Sequence, residues 1–118
     1  MTTAIILDGD ILARTIRARL AARVRVLRAA GVAPHFLTIL VGNDPASESY
    51  VARKHGDCRE MDISSSEIRL DAQVSAQELE RQIDAANADP SIHGFLVQLP
   101  LPGHLDDNHF LARISPQK

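Results

Sequence analysis

The sequence predicts an α/β fold, a three-layer arrangement in which helices flank a small, mostly parallel sheet. Short apolar runs typical of buried strands alternate with amphipathic stretches of about 15 residues, and Gly, Pro and Asp residues separate them. This alternation indicates βαβ units with right-handed crossovers. With 118 residues, 45% of them hydrophobic, the chain has the size of one domain with its own core.

The first predicted elements are a short strand at residues 4–7 and a long amphipathic helix. Either Asp8 or Asp10 can cap the helix, and Gly31 is placed to end it. Apolar residues recur along it every three or four positions, at Leu12, Ile16, Leu20, Val24 and Leu27. Its arginines lie all around the helix without interleaved aromatic residues, which favours a solvated face over a nucleic-acid site.

Two strands and one helix are predicted in the middle of the chain. Residues 36–41 form a continuous apolar run, as in a strand buried on both faces. Asp44 is a typical N-cap with Pro45 at the first helical position, and this helix is predicted to extend to about Met61. Residues 66–70 suit a more exposed strand.

The last third repeats the alternation. Ser75 with Glu78 forms a capping-box pattern, and the inward stripe of the helix that follows is Leu79, Ile83 and Ala86. Residues 94–99 are predicted as a buried strand, followed by a short helix that begins at Asp106 or Asp107. The chain stops at ISPQK without a closing strand, which suggests part of something longer.

Composition points to a cytoplasmic protein without a membrane or nucleic-acid partner. The net charge is −2, the N-terminus lacks a basic region before its short apolar stretch, and no run approaches the roughly 18 apolar residues of a membrane span. Cys58 is the only cysteine, so we expect no internal disulfide. Within its predicted helix it suits a small buried side chain in a reducing compartment.

The candidate site follows from the predicted topology. Parallel strands end at one edge of the sheet, where ligands bind, and two segments must share that edge: VGNDPAS after the first buried strand and QLPLP after the last. Ser47, Tyr50 and Lys54 are three and four residues apart, so they share one helix face. Gln98 should lie near them.

The residue types at this edge suit ligand chemistry. A tyrosine can stack on a planar ring, a partly buried lysine can exchange a proton, and a glutamine both donates and accepts. Lys54 and Lys118 are the only lysines in this arginine-rich chain. The alternative is a solvated helix face, because Tyr–Lys pairs at helical spacing are common.

Other polar clusters are weaker candidates. His104, Asp106, Asp107 and His109 could be imagined as a metal site, but their spacing fits no compact ligand pattern and helix capping is favoured, so no metal is expected. The remaining histidines, His35, His55 and His93, are isolated in the sequence, and nothing indicates a role for them.

Taken together, LTILVGNDPASESYVARK and GFLVQLPLPGHLDDNHFLARISPQK resemble the bifunctional methylenetetrahydrofolate dehydrogenase/methenyltetrahydrofolate cyclohydrolase family. The resemblance extends from ILDGD to PQK. It rests on the pattern ILVG-x-x-PAS-x-x-YV-x-x-K followed by VQLPLP. The fold it implies is the amino-acid-dehydrogenase-like N-terminal domain.

The resemblance also implies residue roles. Tyr50 is similar to the tyrosine that stacks on the folate rings, Lys54 to the general acid/base or water activator, and Gln98 to the residue that tunes the lysine. Val97, Leu99 and Pro100 correspond to a wall against the ring system, and Ser47 belongs to the same substrate-binding group. Gly56 stands where many members have a second basic residue, and Asp62 where they have a glycine in left-handed conformation.

For the whole enzyme the resemblance implies oxidation of 5,10-methylenetetrahydrofolate with NADP and hydrolysis of the methenyl product to 10-formyltetrahydrofolate. Residues 1–118 would be the folate-binding catalytic domain alone, without the aspartate that anchors the pterin and without the NADP-binding Rossmann domain. No G-x-G-x-x-G pattern occurs in the sequence, so this fragment is expected to bind no cofactor. The family is homodimeric through contacts largely in the absent domain, and a monomeric fragment is therefore expected.

Two other functions remain open from the sequence. One is a non-catalytic remnant or isolated folding module that binds folate or a partner weakly. The other is a flavodoxin-like module without a folate role. Hydrolysis of methenyltetrahydrofolate that depends on Lys54, and protection of Tyr50 by folate, would separate these from an enzyme.

Overall fold

A computed structural model describes residues 3–118, which form four helices and three strands. The helices are α1 (Gly9–Ala29), α2 (Pro45–Glu60), α3 (Ala76–Ala88) and α4 (Asp107–Arg113). The strands are β1 (His35–Val41), β2 (Ser64–Leu70) and β3 (Gly94–Val97). They pair in parallel in the order β2-β1-β3, so the predicted α/β fold with a small parallel sheet is confirmed.

The central strand β1 is buried on both faces, as its continuous apolar run predicts. On one face Leu37, Ile39 and Val41 join a core with α3, β3 and α4, in which Leu79, Ile83 and Phe110 are at most 1% exposed. On the other face Thr38 and Leu40 are equally buried. This second face is the one that α2 covers, since a side chain of α2 hydrogen-bonds to Thr38.

Short polar side chains begin each helix. Asp8 caps α1, Asp44 caps α2, Ser75 caps α3 and Asp106 caps α4, each accepting a hydrogen bond from a backbone N–H of the first turn. The two open alternatives are thereby decided for Asp8 and for Asp106. These caps satisfy N–H groups that have no partner inside the helix, so the sequence fixes where each helix starts.

The turn after α2 contains a strained residue. Asp62 has a φ of 58°, in the left-handed region that glycine adopts without a steric penalty. Arg28 of α1 supports it, because Nε lies 2.8 Å from the Asp62 carbonyl oxygen and 3.0 Å from its carboxylate. The expectation of a left-handed residue at this position is therefore confirmed.

Residues 4–7 are not a strand, and that prediction was wrong. Ile5, Ile6 and Leu7 are 84 to 94% exposed and have no regular secondary structure. A strand depends on a neighbouring strand for its hydrogen bonds and on a covered face for its burial. Neither is provided here.

Two further boundaries differ from the prediction. The strand predicted at residues 94–99 ends at Val97, two residues before the cis peptide bond between Leu99 and Pro100. Along α1 only Val24 of the apolar stripe is buried, whereas Leu12 remains 60% exposed. Among the described residues, no helix is both long and apolar enough to cross a membrane.

Candidate active site

The segments that follow β1 and β3 meet at the carboxyl edge of the sheet, as the parallel topology requires. Ile39 pairs with Val97, and the backbone N–H of Gln98 continues this pairing with a 2.9 Å hydrogen bond to the Ile39 carbonyl oxygen. A depression of about 360 Å³ lies between the two segments. Its lining residues are Val41, Gly42, Asn43, Asp44, Ala72, Pro100, Leu101 and Pro102.

The start of α2 is attached to the β3 segment through Ser47. The Asp44 carboxylate caps the helix by accepting from the Ser47 N–H at 2.8 Å. The Ser47 side chain is buried at 2% exposure, and its Oγ donates to the Leu99 carbonyl oxygen at 3.4 Å. Ser47 therefore joins the helix to the QLPLP loop and presents no free hydroxyl to solvent.

Lys54 and Gln98 form the central contact of the site. Lys54 Nζ donates to Gln98 Oε1 at 3.1 Å, and Gln98 Nε2 donates to the Leu99 carbonyl oxygen at 2.9 Å. A carbonyl oxygen can only accept, so the Leu99 contact requires the amide nitrogen on that side. The Gln98 oxygen is consequently directed at the lysine amine.

Tyr50 lies one turn before Lys54 and is the exposed member of the group. Its side chain is 55% exposed, and Lys54 Nζ lies 5.7 Å from the ring centroid. At this distance the ring attracts a cationic amine. Most of the ring is left uncovered, which is what stacking on a planar ligand requires.

The three residues predicted to form a wall have different environments. Val97 is 4% exposed and its side chain belongs to the hydrophobic core, so only its backbone lies along the site. Leu99 is half-buried against the same core, while Pro100 is exposed and lines the depression. The structure therefore groups Ser47, Tyr50, Lys54, Gln98, Leu99 and Pro100 and leaves the Val97 side chain apart from them.

A second depression of about 350 Å³ lies on the β2 side of the same edge and includes Gly42 and Arg69. Hydrogen bonds from Glu67 and Glu48 raise the pKa of Arg69, and both carboxylates pair with its guanidinium within 3 Å. These two carboxylates neutralise the arginine. It therefore offers little net charge for an anionic ligand.

The polar cluster near α4 has structural roles. Asp106 is the N-cap, His104 lies 2.8 Å from the Val74 carbonyl oxygen, and His109 lies 2.7 Å from a Glu80 carboxylate oxygen. Within residues 3–118 no group of three His, Cys, Asp or Glu side chains is arranged to hold a metal ion.

One histidine of the site region was missed in the sequence. His55 is largely buried between α2 and the sheet and hydrogen-bonds to Thr38 and Ser65. The available signal was Thr38, a polar residue inside the apolar run FLTILV, since a polar group in a buried strand requires a partner.

Comparisons with known proteins agree with the geometry. The family model of the tetrahydrofolate dehydrogenase/cyclohydrolase catalytic domain matches residues 7–118. The bifunctional protein FolD of Exiguobacterium sp. (strain ATCC BAA-1283 / AT1b) is 45% identical over 115 residues, which is 98% of this chain and 41% of that protein.

Solved structures show the same likeness. The bifunctional FolD enzyme from Campylobacter jejuni has a TM-score of 0.95 and 37% identity over 97% of this chain and 40% of its own. The Trypanosoma brucei enzyme, solved with NADP cofactor and an inhibitor, has a TM-score of 0.90 and 31% identity over 100% of this chain and 41% of its own. The chain thus spans less than half the length of these relatives, and it belongs to the tetrahydrofolate dehydrogenase/cyclohydrolase family as a match to its catalytic domain.

Proposed function

We propose that residues 1–118 are the folate-binding catalytic part of a bifunctional enzyme that oxidises 5,10-methylenetetrahydrofolate and hydrolyses 5,10-methenyltetrahydrofolate to 10-formyltetrahydrofolate. The observation that carries this proposal is the 3.1 Å hydrogen bond between Lys54 Nζ and Gln98 Oε1, beside the uncovered ring of Tyr50. Family membership supplies the substrate class, and the site supplies groups that suit it.

Hydrolysis needs a group that first takes a proton and then returns it. Water adds to the bridging carbon of the methenyl cation, a proton leaves the adding water, and the bond from this carbon to N5 breaks as N5 gains a proton. The product keeps the formyl group on N10. The Lys54 amine is suited to both proton transfers because it lies at a half-buried edge of the sheet and can gain and lose a proton.

Tyr50 and Gln98 support this chemistry in different ways. The exposed face of the Tyr50 ring provides a surface on which the folate rings can stack. Gln98 holds the amine through an oxygen whose direction is fixed by the Leu99 carbonyl on the other side of the amide. Ser47 contributes by attaching α2 to the same carbonyl oxygen, and Leu99 and Pro100 provide the loop wall.

The described residues do not fit the NADP of the dehydrogenase step. Gly42 is followed by a helix whose N-terminus is capped by the Asp44 carboxylate, where a phosphate would need free N–H groups. NADP supplies hydride acceptance in the whole enzyme, and we assign its binding to the portion that longer relatives have. Cytoplasmic location and homodimer formation belong to the same proposal for the whole enzyme.

The test is hydrolysis of 5,10-methenyltetrahydrofolate followed by its loss of absorbance. Lys54→Met removes the proposed acid/base, and Arg53→Met is the matched control, since Arg53 is an exposed cation on the same helix. We expect the wild type and Arg53→Met to exceed the spontaneous rate and Lys54→Met to equal it. Identical rates in all three proteins would instead support the non-catalytic folding module.

A further inference from the structure

His55 connects α2 to two strands of the sheet through its ring nitrogens. Nε2 lies 2.9 Å from Thr38 Oγ1 on β1, and Nδ1 lies 2.8 Å from Ser65 Oγ on β2. The imidazole is only 13% exposed, and Thr38 is fully buried. Every nitrogen of this buried ring therefore has a partner, and the contacts fix both its position and its orientation.

Lys54 and His55 reach opposite sides of the sheet from one turn of helix. Consecutive helical residues are about 100° apart around the axis. Lys54 extends to Gln98 just beyond β3, while His55 extends to β1 and β2. Because the strand order is β2-β1-β3, these two side chains attach α2 to both halves of the sheet.

Apolar packing alone fixes the rotation of α2 only loosely. Val51 and Cys58, one turn on either side of His55, are the buried apolar residues of the helix. Apolar burial is not directional, whereas a hydrogen bond tolerates little change in angle or distance. A rotation of about 10° around the axis moves the outer atoms of a side chain by about 1 Å, given a helix radius of 5–6 Å with side chains. Such a shift would lengthen the Lys54–Gln98 hydrogen bond beyond its normal range.

We propose that His55 is a positioning residue that sets the rotation of α2 and thereby holds the Lys54 amine against Gln98. The importance of this for catalysis rests on the proposed role of Lys54. The positioning itself does not, since it is a property of the folded chain. A displacement of about 1 Å at an acid/base group is enough to reduce a catalytic rate substantially.

The structure offers a matched pair of variants for the test. Ser65→Ala removes the 2.8 Å contact of His55, and Ser66→Ala removes the 2.7 Å contact of His35 with the neighbouring serine on the opposite face of β2. Both variants lose one histidine–serine contact between the same two residue types. Only the first of these contacts belongs to α2.

The readout is the acetylation rate of Lys54 in the folded chain, measured by mass spectrometry under limiting reagent. Lys118, the other lysine, reports global loosening. We expect Ser65→Ala to raise the Lys54 rate by roughly twofold or more while Lys118 is unchanged, because a released amine spends more time unbonded. Ser66→Ala should leave the Lys54 rate at the wild-type value, and Ser65→Thr should restore it by restoring a hydroxyl.

Equal Lys54 rates in Ser65→Ala and Ser66→Ala would overturn the proposal, as would failure of Ser65→Thr to restore the rate. No folate is present in this experiment. Its outcome is therefore separate from that of the hydrolysis assay, and an inactive chain could still show the positioning effect.

Discussion

Replacing Gln98 by leucine tests whether the glutamine acts on the reaction through Lys54. The substitution removes the oxygen that accepts from Lys54 Nζ at 3.1 Å and keeps a side chain of similar size. It also removes the donor to the Leu99 carbonyl oxygen, which retains the Ser47 hydroxyl at 3.4 Å. The fold should therefore tolerate the change better than the site does.

The expected magnitude follows from the kind of hydrogen bond that is lost. A hydrogen bond to a charged group contributes about 1.5–3 kcal/mol, and the lower end applies here because both side chains are half-buried. A loss of about 1.4 kcal/mol corresponds to a tenfold fall in rate. We expect the hydrolysis of 5,10-methenyltetrahydrofolate to fall about tenfold, with the free energy of unfolding lowered by less than about 1 kcal/mol.

A double-mutant cycle makes this prediction specific. In a Lys54→Met background, Gln98→Leu should have no further effect on the rate, since the partner through which it acts is absent. Gln82→Leu is the control, because this glutamine makes a comparable 2.8 Å hydrogen bond to Glu78 on α3, away from the site. A full additional loss in the Lys54→Met background, or an equal loss in Gln82→Leu, would refute the reasoning.

Three further predictions concern stability and reactivity. Gly56→Ala should stabilise the chain by about 1 kcal/mol and raise Tm by roughly 4 °C in thermal unfolding, since an added Cβ meets only Arg59 Nη2 at an ordinary 3.7 Å; a lower Tm would show that the helix needs glycine there. The hydrogen bond from Arg113 lowers the pKa of Asp84 below 3.8, so its contribution is full above that pH and is lost as the pH falls through the lowered value. Asp84→Asn should accordingly flatten the loss of stability in acid, and an unchanged acid limb in pH-dependent unfolding would contradict this. Burial, followed by the Asp57 charge, raises the pKa of the Cys58 thiol against the opposing effect of Arg59, so iodoacetamide should alkylate it at least about tenfold more slowly in the folded chain than in urea; equal rates would show that the thiol is accessible.

The sequence predicts the elements whose signals are local. Asp44 and Pro45 define the start of α2 without reference to the rest of the chain, and the apolar run at residues 36–41 identifies β1. The meeting of Tyr50 and Lys54 with Gln98 follows from parallel topology, because all strands end at one edge. The distances within the group do not follow from it.

Features that depend on distant partners could not be predicted. Residues 4–7 have the composition of a strand, but strand formation requires a neighbour that the sequence does not specify. Val97 could have faced either side, since a short strand that is apolar throughout carries no alternation to orient it. His55 has partners on two strands, and its only trace in the sequence is the polar Thr38 within an apolar run.

The account's central claim is that the Tyr50, Lys54 and Gln98 group is a folate site, and the ring of Tyr50 tests it most directly. Tyr50 is the only tyrosine, so selective ¹³C labelling gives ring signals from this residue alone. On titration with 5,10-methenyltetrahydrofolate, stacking should move these signals upfield to a saturating value, in the wild type and in Lys54→Met alike, whereas ATP should not move them. Ring signals that stay unmoved at ligand concentrations that saturate the protein by calorimetry would contradict the claim.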